Sequence, residues 1–211
     1  AAFQIEITDA EELGRLLNGL LSSKRAILGE QPSADHTAHG EPPTGCNHTV
    51  VQVHYITDRK RTPNSAPNAI YGGDRGELEY GFCEVSIPGN HPKGQFESPS
   101  ILRLEFGENP AKHISLLRVQ QLAFEDFIHT VQSQVTATPQ NEAFVFVHGY
   151  NVTFKDAARR TAQLAYDLEL TGVPIFYSWP SQGRLRGYLV DETNVEWTAA
   201  HLKQTLQMLM R

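Results

Sequence analysis

The sequence has little cysteine, no long apolar run and no excess of positive charge. Its 211 residues include two cysteines, Cys46 and Cys83, which excludes a framework of several disulfides and leaves open whether these two are bonded. No segment approaches the roughly 20 apolar residues that a membrane-spanning helix needs, so we expect no membrane span. Lys and Arg number 18 against 24 Asp and Glu, a net charge of −6, which argues against a nucleic-acid partner.

Residues 1–48 differ in composition from the rest of the chain. Thr8 and Glu11 have the spacing of a helix capping box, and leucines follow at helical intervals. From Gly29 to His48 the chain is rich in Pro, Gly, His and Thr. We therefore expect a helical appendage and a flexible linker over 1–48, and one domain over 49–211. Because the first residue is not Met, we also expect a processed or excised N-terminus.

Residues 50–122 are rich in strand signals. Val50–Ile56 and Leu78–Ile87 are enriched in β-branched and aromatic residues and are bounded by turn formers. Ile101–Phe106 alternates apolar and polar residues, and His113–Val119 is a weaker strand candidate. These segments predict a β-rich N-terminal part of the domain.

Residues 123–211 alternate between helix and strand patterns. The predicted elements are a helix from Phe124, a buried strand Ala143–His148, a helix capped by Thr153 and ended by Gly172, a buried strand Val173–Ser178, and a last helix opened by the capping box Thr193-x-x-Glu196. This order predicts an α/β fold with a partly parallel sheet flanked by helices. Because no strand pattern follows the last helix, we expect that the C-terminal half of the domain is missing.

The first buried strand ends in a candidate binding loop, His148-Gly149-Tyr150-Asn151. Ligands of open α/β sheets bind at the carboxyl ends of the strands. Gly149 permits a tight turn that aims the next amides at a developing negative charge, and the following helix N-terminus adds a favourable dipole. The loop therefore suggests an oxyanion hole. The alternative is that Gly149 only permits the turn and His148 only makes local hydrogen bonds.

The second buried strand ends in two serines, Ser178 and Ser181, separated by Trp179 and Pro180. A serine nucleophile on this architecture sits in a G-x-S-x-G elbow, and the sequence contains no such pentapeptide. Pro180 also removes an amide that the elbow would use. We therefore disfavour these serines as nucleophiles and expect Trp179 to cover the end of the sheet, with Trp179 and Ser181 as candidate pocket residues.

Two other kinds of polar cluster occur in the sequence. Zinc accepts the side chains of His36, His39, Cys46 and His48, but their irregular spacing beside two prolines favours a linker, so we predict no metal and no cofactor. The segments Asp58–Arg61 and Asp74-Arg75 alternate in charge, which is typical of a solvated surface.

Four segments together resemble one family: Tyr55–Arg59, Tyr80–Pro88, Phe146–Asn151 and Tyr177–Gly183. In this order they resemble a bacterial α/β-hydrolase family of unknown function, the DUF900 group of esterase-like proteins, from about residue 50 to the C-terminus. The resemblance implies an α/β-hydrolase fold in which His148–Asn151 is the oxyanion-hole loop. It also implies that Tyr188 and Asp191 lie near the mouth of the active site.

The resemblance further implies a function and a deficiency. Serine hydrolases of this kind carry their serine elbow, acid and histidine after the helix with which this sequence ends. We therefore expect the N-terminal portion of a carboxylic-ester hydrolase, inactive alone, with a small ester as substrate of the complete protein. One alternative is a non-catalytic module that pairs through an open sheet edge with a second copy or the missing C-terminal segment, and another is a hydrolase that uses Ser181 and His148. We expect a soluble protein of the bacterial cytoplasm or periplasm.

Overall fold

The computed structural model describes residues 48–91, 113–139, 141–182 and 188–209. Two predicted features lie outside these residues: the appendage with all but the last residue of its linker, and the strand Ile101–Phe106. The described strands are β1 (His48–Arg61), β2 (Tyr71–Pro88), β3 (Ser115–Leu122), β4 (Ala143–Val147) and β5 (Val173–Ser178). The described helices are α1 (Phe124–Ala137), α2 (Phe154–Asp167) and α3 (Tyr188–Leu209).

The five described strands form one mixed sheet in the order β3-β2-β1-β5-β4. Strand β2 pairs antiparallel with both β1 and β3, which makes one half of the sheet a meander. Strand β5 pairs parallel with β1 on one side and with β4 on the other. The prediction of an α/β fold with a partly parallel sheet and β-rich N-terminal strands is confirmed.

Helices cover both faces of the sheet. Because side chains alternate along a strand, Tyr55 of β1 faces α2 whereas Ile56 faces α1 and α3. Helix α2 buries Phe154, Ala157, Ala158 and Ala162 in the first of these cores. In the second core lie Phe127 and Val131 of α1 and Val195 and Leu202 of α3. None of the described helices is both long and apolar enough to cross a bilayer.

One close approach inside the sheet requires glycine. A Cβ placed on Gly81 of β2 would lie 2.0 Å from the carbonyl oxygen of Gln120 and 2.7 Å from the ring of Tyr55. The phenol of Tyr55 therefore occupies the space that a side chain on β2 would need. Nearby in the same core, Cys83 is a fully buried free thiol, and this burial raises its pKa.

The helix boundaries confirm one predicted cap and correct two others. The hydroxyl of Thr153 accepts a hydrogen bond from the Asp156 amide at 3.2 Å, so the prediction that Thr153 caps this helix is confirmed. Helix α2 ends at Asp167 rather than at Gly172, because Glu169 adopts the left-handed conformation with φ of 49°. Helix α3 begins at Tyr188, so Thr193 lies in its second turn and the predicted capping box is wrong.

Candidate functional site

The carboxyl ends of three parallel strands meet at one edge of the sheet. Thr57 near the end of β1 pairs with Ser178 at the end of β5, and Val147 at the end of β4 pairs with Tyr177. Consequently the loop that follows β4 and the loop that follows β5 lie side by side. The end of β1 also belongs to this site, which the sequence pattern did not predict.

Arg59, at the end of β1, lies at the centre of the site. The residue is 1% exposed, so the expectation that this charged segment is solvated is wrong for Arg59. Its five N–H groups reach five acceptors, which are the hydroxyl of Ser178 at 2.8 Å, the carbonyls of Gly72, Val152 and Ser181 at 2.9, 2.7 and 2.8 Å, and Nε2 of His148 at 3.3 Å.

The expectation of a solvated surface is also wrong for the adjacent Asp58, which is buried on the opposite face of the sheet. Its Oδ2 accepts hydrogen bonds from the phenol of Tyr177 at 2.8 Å, from Nδ1 of His201 at 3.0 Å and from the hydroxyl of Thr198. Its Oδ1 is buried and has no hydrogen-bond partner among the described residues. The alternation of side chains along β1 continues past Ile56, so Asp58 lies on the face that α1 and α3 cover. Of the charged segment at the end of β1, only Lys60 and Arg61 are exposed.

The hydrogen bonds of His148 determine which of its nitrogens carries a proton. Nδ1 lies 2.8 Å from the carbonyl oxygen of Gly149, and a carbonyl only accepts, so we assign the proton to Nδ1. Nε2 then accepts from Arg59 and, at 3.1 Å, from the hydroxyl of Ser178. Burial and the positive charge of Arg59 lower the pKa of His148 to about 3. The imidazole is therefore neutral at physiological pH.

Ser178 and His148 are as close as a nucleophile and its base, but their surroundings oppose that role. Both side chains are at most 1% exposed, so a substrate has no access to the serine. Nε2, which would have to take the serine proton, already accepts a hydrogen bond from Arg59 and has a pKa far below the working range of a general base. The two side chains instead form a buried hydrogen bond that stabilises the loop after β4.

The loop from His148 to Thr153 is tied down along its length. The indole N–H of Trp179 donates to the carbonyl of His148 at 2.8 Å. At the other end of the loop, the amide of Val152 donates to the hydroxyl of Ser181 at 3.2 Å. The carbonyl of Val152 accepts from Arg59, and Asn151 adopts a left-handed φ of 59° that turns the chain into α2.

Two features of the loop lie away from the His148 ring. A Cβ placed on Gly149 would meet no atom within 4 Å, so there is open space beside this residue. The carbonyl of Gly149 points at the His148 ring, and since the peptide is trans and planar, the amide N–H of Tyr150 points to the opposite side. The direction of the Tyr150 N–H is thus fixed near the N-terminus of α2, where the helix dipole favours negative charge.

The other predicted pocket residues have different positions. Trp179 stacks on His148 and Ser181 holds Val152, and both side chains are buried. Tyr188 and Asp191 lie in the first two turns of α3, and their side chains are outside what the structure describes. Across the described residues, no group of three or more His, Cys, Asp or Glu could hold a metal ion. Of the four candidate zinc ligands, His48 begins β1 and the other three lie outside the described ranges.

Residues 124–211 match the model of a family described as an alpha/beta hydrolase of unknown function, DUF900. The predicted resemblance to DUF900 is therefore confirmed from α1 onward, and it includes His148, Ser178 and Trp179. The predicted resemblance also covered residues 50–123, which lie outside the DUF900 match. Asp58, Arg59 and Gly72 belong to the β1–β2 hairpin, which precedes the match. No curated protein and no solved structure matches this chain.

Proposed function

We propose that this chain carries the oxyanion-hole part of a serine hydrolase that acts on small carboxylic esters. The observation that carries the proposal is the rigid loop from His148 to Thr153, whose Tyr150 amide faces away from the buried imidazole. An oxyanion hole needs N–H donors that are fixed before the reaction, since their reorganisation would otherwise cost free energy in the transition state. Hydrogen bonds at both ends of this loop supply that rigidity.

We further infer that the nucleophile, the acid and the base are not among these 211 residues. The sequence contains no G-x-S-x-G elbow. Both serines of the site hold other groups, since Ser178 bonds to His148 and Ser181 bonds to Val152. In this proposal, residues 49–211 are the N-terminal part of the hydrolase domain, residues 1–48 are an appendage, and the 211-residue chain is inactive alone.

Hydrolysis of p-nitrophenyl acetate tests the proposal. We expect no turnover above background from the 211-residue chain, and turnover from a chain extended along its own coding sequence. In the extended chain, Gly149→Ala places a methyl group in the open space beside the loop and is expected to lower kcat by about tenfold or more. Turnover by the 211-residue chain that disappears in Ser181→Ala would contradict the proposal and favour a hydrolase with unconventional residues.

A second candidate function is a non-catalytic module that pairs through the edge of its sheet. Its support is strand β4, which among the described residues pairs with β5 alone and has the uncharged sequence Ala143–Val147. A groove of about 610 Å³ runs beside β4, lined mainly by apolar residues of α1 and α3. An unpaired apolar edge is a template for another strand.

Sedimentation at micromolar concentration distinguishes this candidate from the first. The module predicts a dimer that becomes monomeric in Ala143→Lys, because a charge at the start of an edge strand opposes pairing. Leu117→Lys on β3, at the opposite end of the sheet, is the matched control. A wild-type chain that stays monomeric would contradict self-association through β4.

A further inference from the structure

Arg59 joins more segments of the site than any role in strand pairing requires. Its guanidinium contacts the start of β2 through Gly72, both ends of the loop after β4 through His148 and Val152, and the loop after β5 through Ser181. Three of its acceptors are backbone carbonyls, which side-chain substitutions in the loops do not remove. The start of β2 and the loops after β4 and β5 are therefore bonded to one common group.

The chemistry of these contacts suits arginine alone. A guanidinium is planar and presents five N–H groups in a fixed fork, whereas an ammonium group is a point charge with three donors on a flexible stem. The five acceptors named above are uncharged groups of β2, of β5 and of the two loops. The positive charge of Arg59 thus acts on their oriented dipoles, and each of these dipoles is in turn fixed by the charge.

The same guanidinium controls the imidazole of His148. It donates to Nε2, which is possible only when Nε2 is unprotonated and the ring proton is on Nδ1. A protonated His148 would place a second positive charge 3.3 Å from Arg59 in a buried site. Of the described groups around His148, Arg59 is the charged one in direct contact, and its other neighbours, Ser178 and Trp179, are neutral.

We propose that Arg59 is the positioning residue of the His148–Thr153 loop, fixing His148 as the neutral Nδ1–H form and holding the Val152 end of the loop against the sheet. In this role Arg59 never touches substrate. It sets the direction of the Gly149–Tyr150 peptide through His148, because the Nδ1 proton that it enforces is the proton that binds the Gly149 carbonyl. The inference rests on the proposed function only in calling this loop an oxyanion hole, and the contacts of Arg59 do not depend on it.

Nitrogen chemical shifts of His148 test the proposal without any ester assay. In the ¹⁵N-labelled 211-residue chain, a long-range ¹H–¹⁵N correlation spectrum distinguishes the two neutral tautomers and the protonated ring. We expect the Nδ1–H form of His148 from pH 7.5 down to pH 4.5 in the wild type. An Nε2–H form, or protonation near pH 6.5, would overturn the proposal on the wild-type chain alone, whether or not any variant folds.

Two substitutions then separate the charge of Arg59 from its shape. Arg59→Gln removes the charge, and we expect His148 to protonate at a pH about one unit or more above that of the wild type. Arg59→Lys keeps the charge, so we expect His148 to stay neutral while the Val152 amide exchanges with solvent at least tenfold faster. Arg61→Gln, at an exposed position of the same strand, is the control and leaves both readouts unchanged.

The outcomes decide between a positioning role and a merely structural one. If Arg59→Gln folds and leaves both the tautomer of His148 and the exchange of the Val152 amide as in the wild type, the proposal is wrong. Failure of the ester assay in the extended chain, with these shifts as expected, would contradict the proposed function and leave the role of Arg59 standing.

Discussion

The indole of Trp179 lies nearly parallel to the imidazole of His148, at 20° and with 5.2 Å between the ring centroids, and its N–H donates to the His148 backbone carbonyl. One side chain thus covers the ring and fixes the backbone of the same residue. Because Trp179 follows β5 and His148 follows β4, this contact locks the two loops together.

Replacing the indole of Trp179 tests this contact between the two loops. Trp179→Phe keeps an aromatic ring but leaves the buried His148 carbonyl without its donor, and we expect the free energy of unfolding to fall by about 1–3 kcal/mol. Urea denaturation measures it. Trp197→Phe is the control, because Trp197 is half-buried and its contacts are with side chains at the surface, and we expect a change of about 0.5 kcal/mol or less.

Lowering the pH should destabilise the fold through two buried histidines. Burial lowers the pKa of His54, and burial with Arg59 lowers that of His148 to about 3. The unfolded chain binds protons near pH 6.5 and the folded chain does not, so stability is complete above that pH and decreases as the pH falls below it. For His148 the slope is about 1.4 kcal/mol per pH unit until the pH approaches 3.

Urea unfolding at pH 7.5, 6.0 and 5.0 checks this dependence. In His148→Gln we expect lower stability at pH 7.5 and a smaller loss between pH 7.5 and pH 5.0, since one source of the slope is gone. His129→Gln, at an exposed position of α1, should leave the wild-type slope. Stability that is constant from pH 7.5 to pH 5.0 would show that these histidines are accessible to protons in the folded state.

Asp58 should be sensitive even to an isosteric change. Its Oδ2 accepts from three groups, and Asp58→Asn replaces the charge and introduces an NH₂ donor into a cluster made of donors. We expect the free energy of unfolding to fall by about 2–4 kcal/mol. Chemical denaturation of Asp58→Asn and of Asp74→Asn, an exposed acid on β2, provides the comparison. Equal stability of the two variants would argue that Oδ2 is solvated.

Two glycine substitutions should differ sharply. Gly81→Ala drives a methyl group into the Gln120 carbonyl and the Tyr55 ring, and we expect a loss of about 1–3 kcal/mol. Gly149→Ala meets open space and is expected to remain within about 1 kcal/mol of the wild type. Thermal unfolding of both variants measures the difference. A lower melting temperature for Gly149→Ala than for Gly81→Ala would contradict the open space assigned to the loop.

The fold class and the loop after β4 could be predicted because their signals are local. An uninterrupted apolar strand, a glycine and the cap Thr153 lie within a dozen residues of one another. Arg59 could not be recognised in this way, since its partner Ser178 is 119 positions away in the sequence. A charged tetrapeptide in isolation is typical of surface, and only the pairing of β1 with β5 shows that two of its four residues are enclosed.

The parallel pairing of β1 with β5 also has a consequence for the order in which the protein folds. Contacts between distant parts of a chain form slowly, because the loop between them must first be closed. Helix α2 and its cap need only neighbouring residues, so they can form early. Arg59 lies near the start of the described chain, far in sequence from Ser178, so we expect the site to assemble in one of the last steps. A fragment that begins at Phe124 could form α1, α2 and α3 but would lack the guanidinium of Arg59.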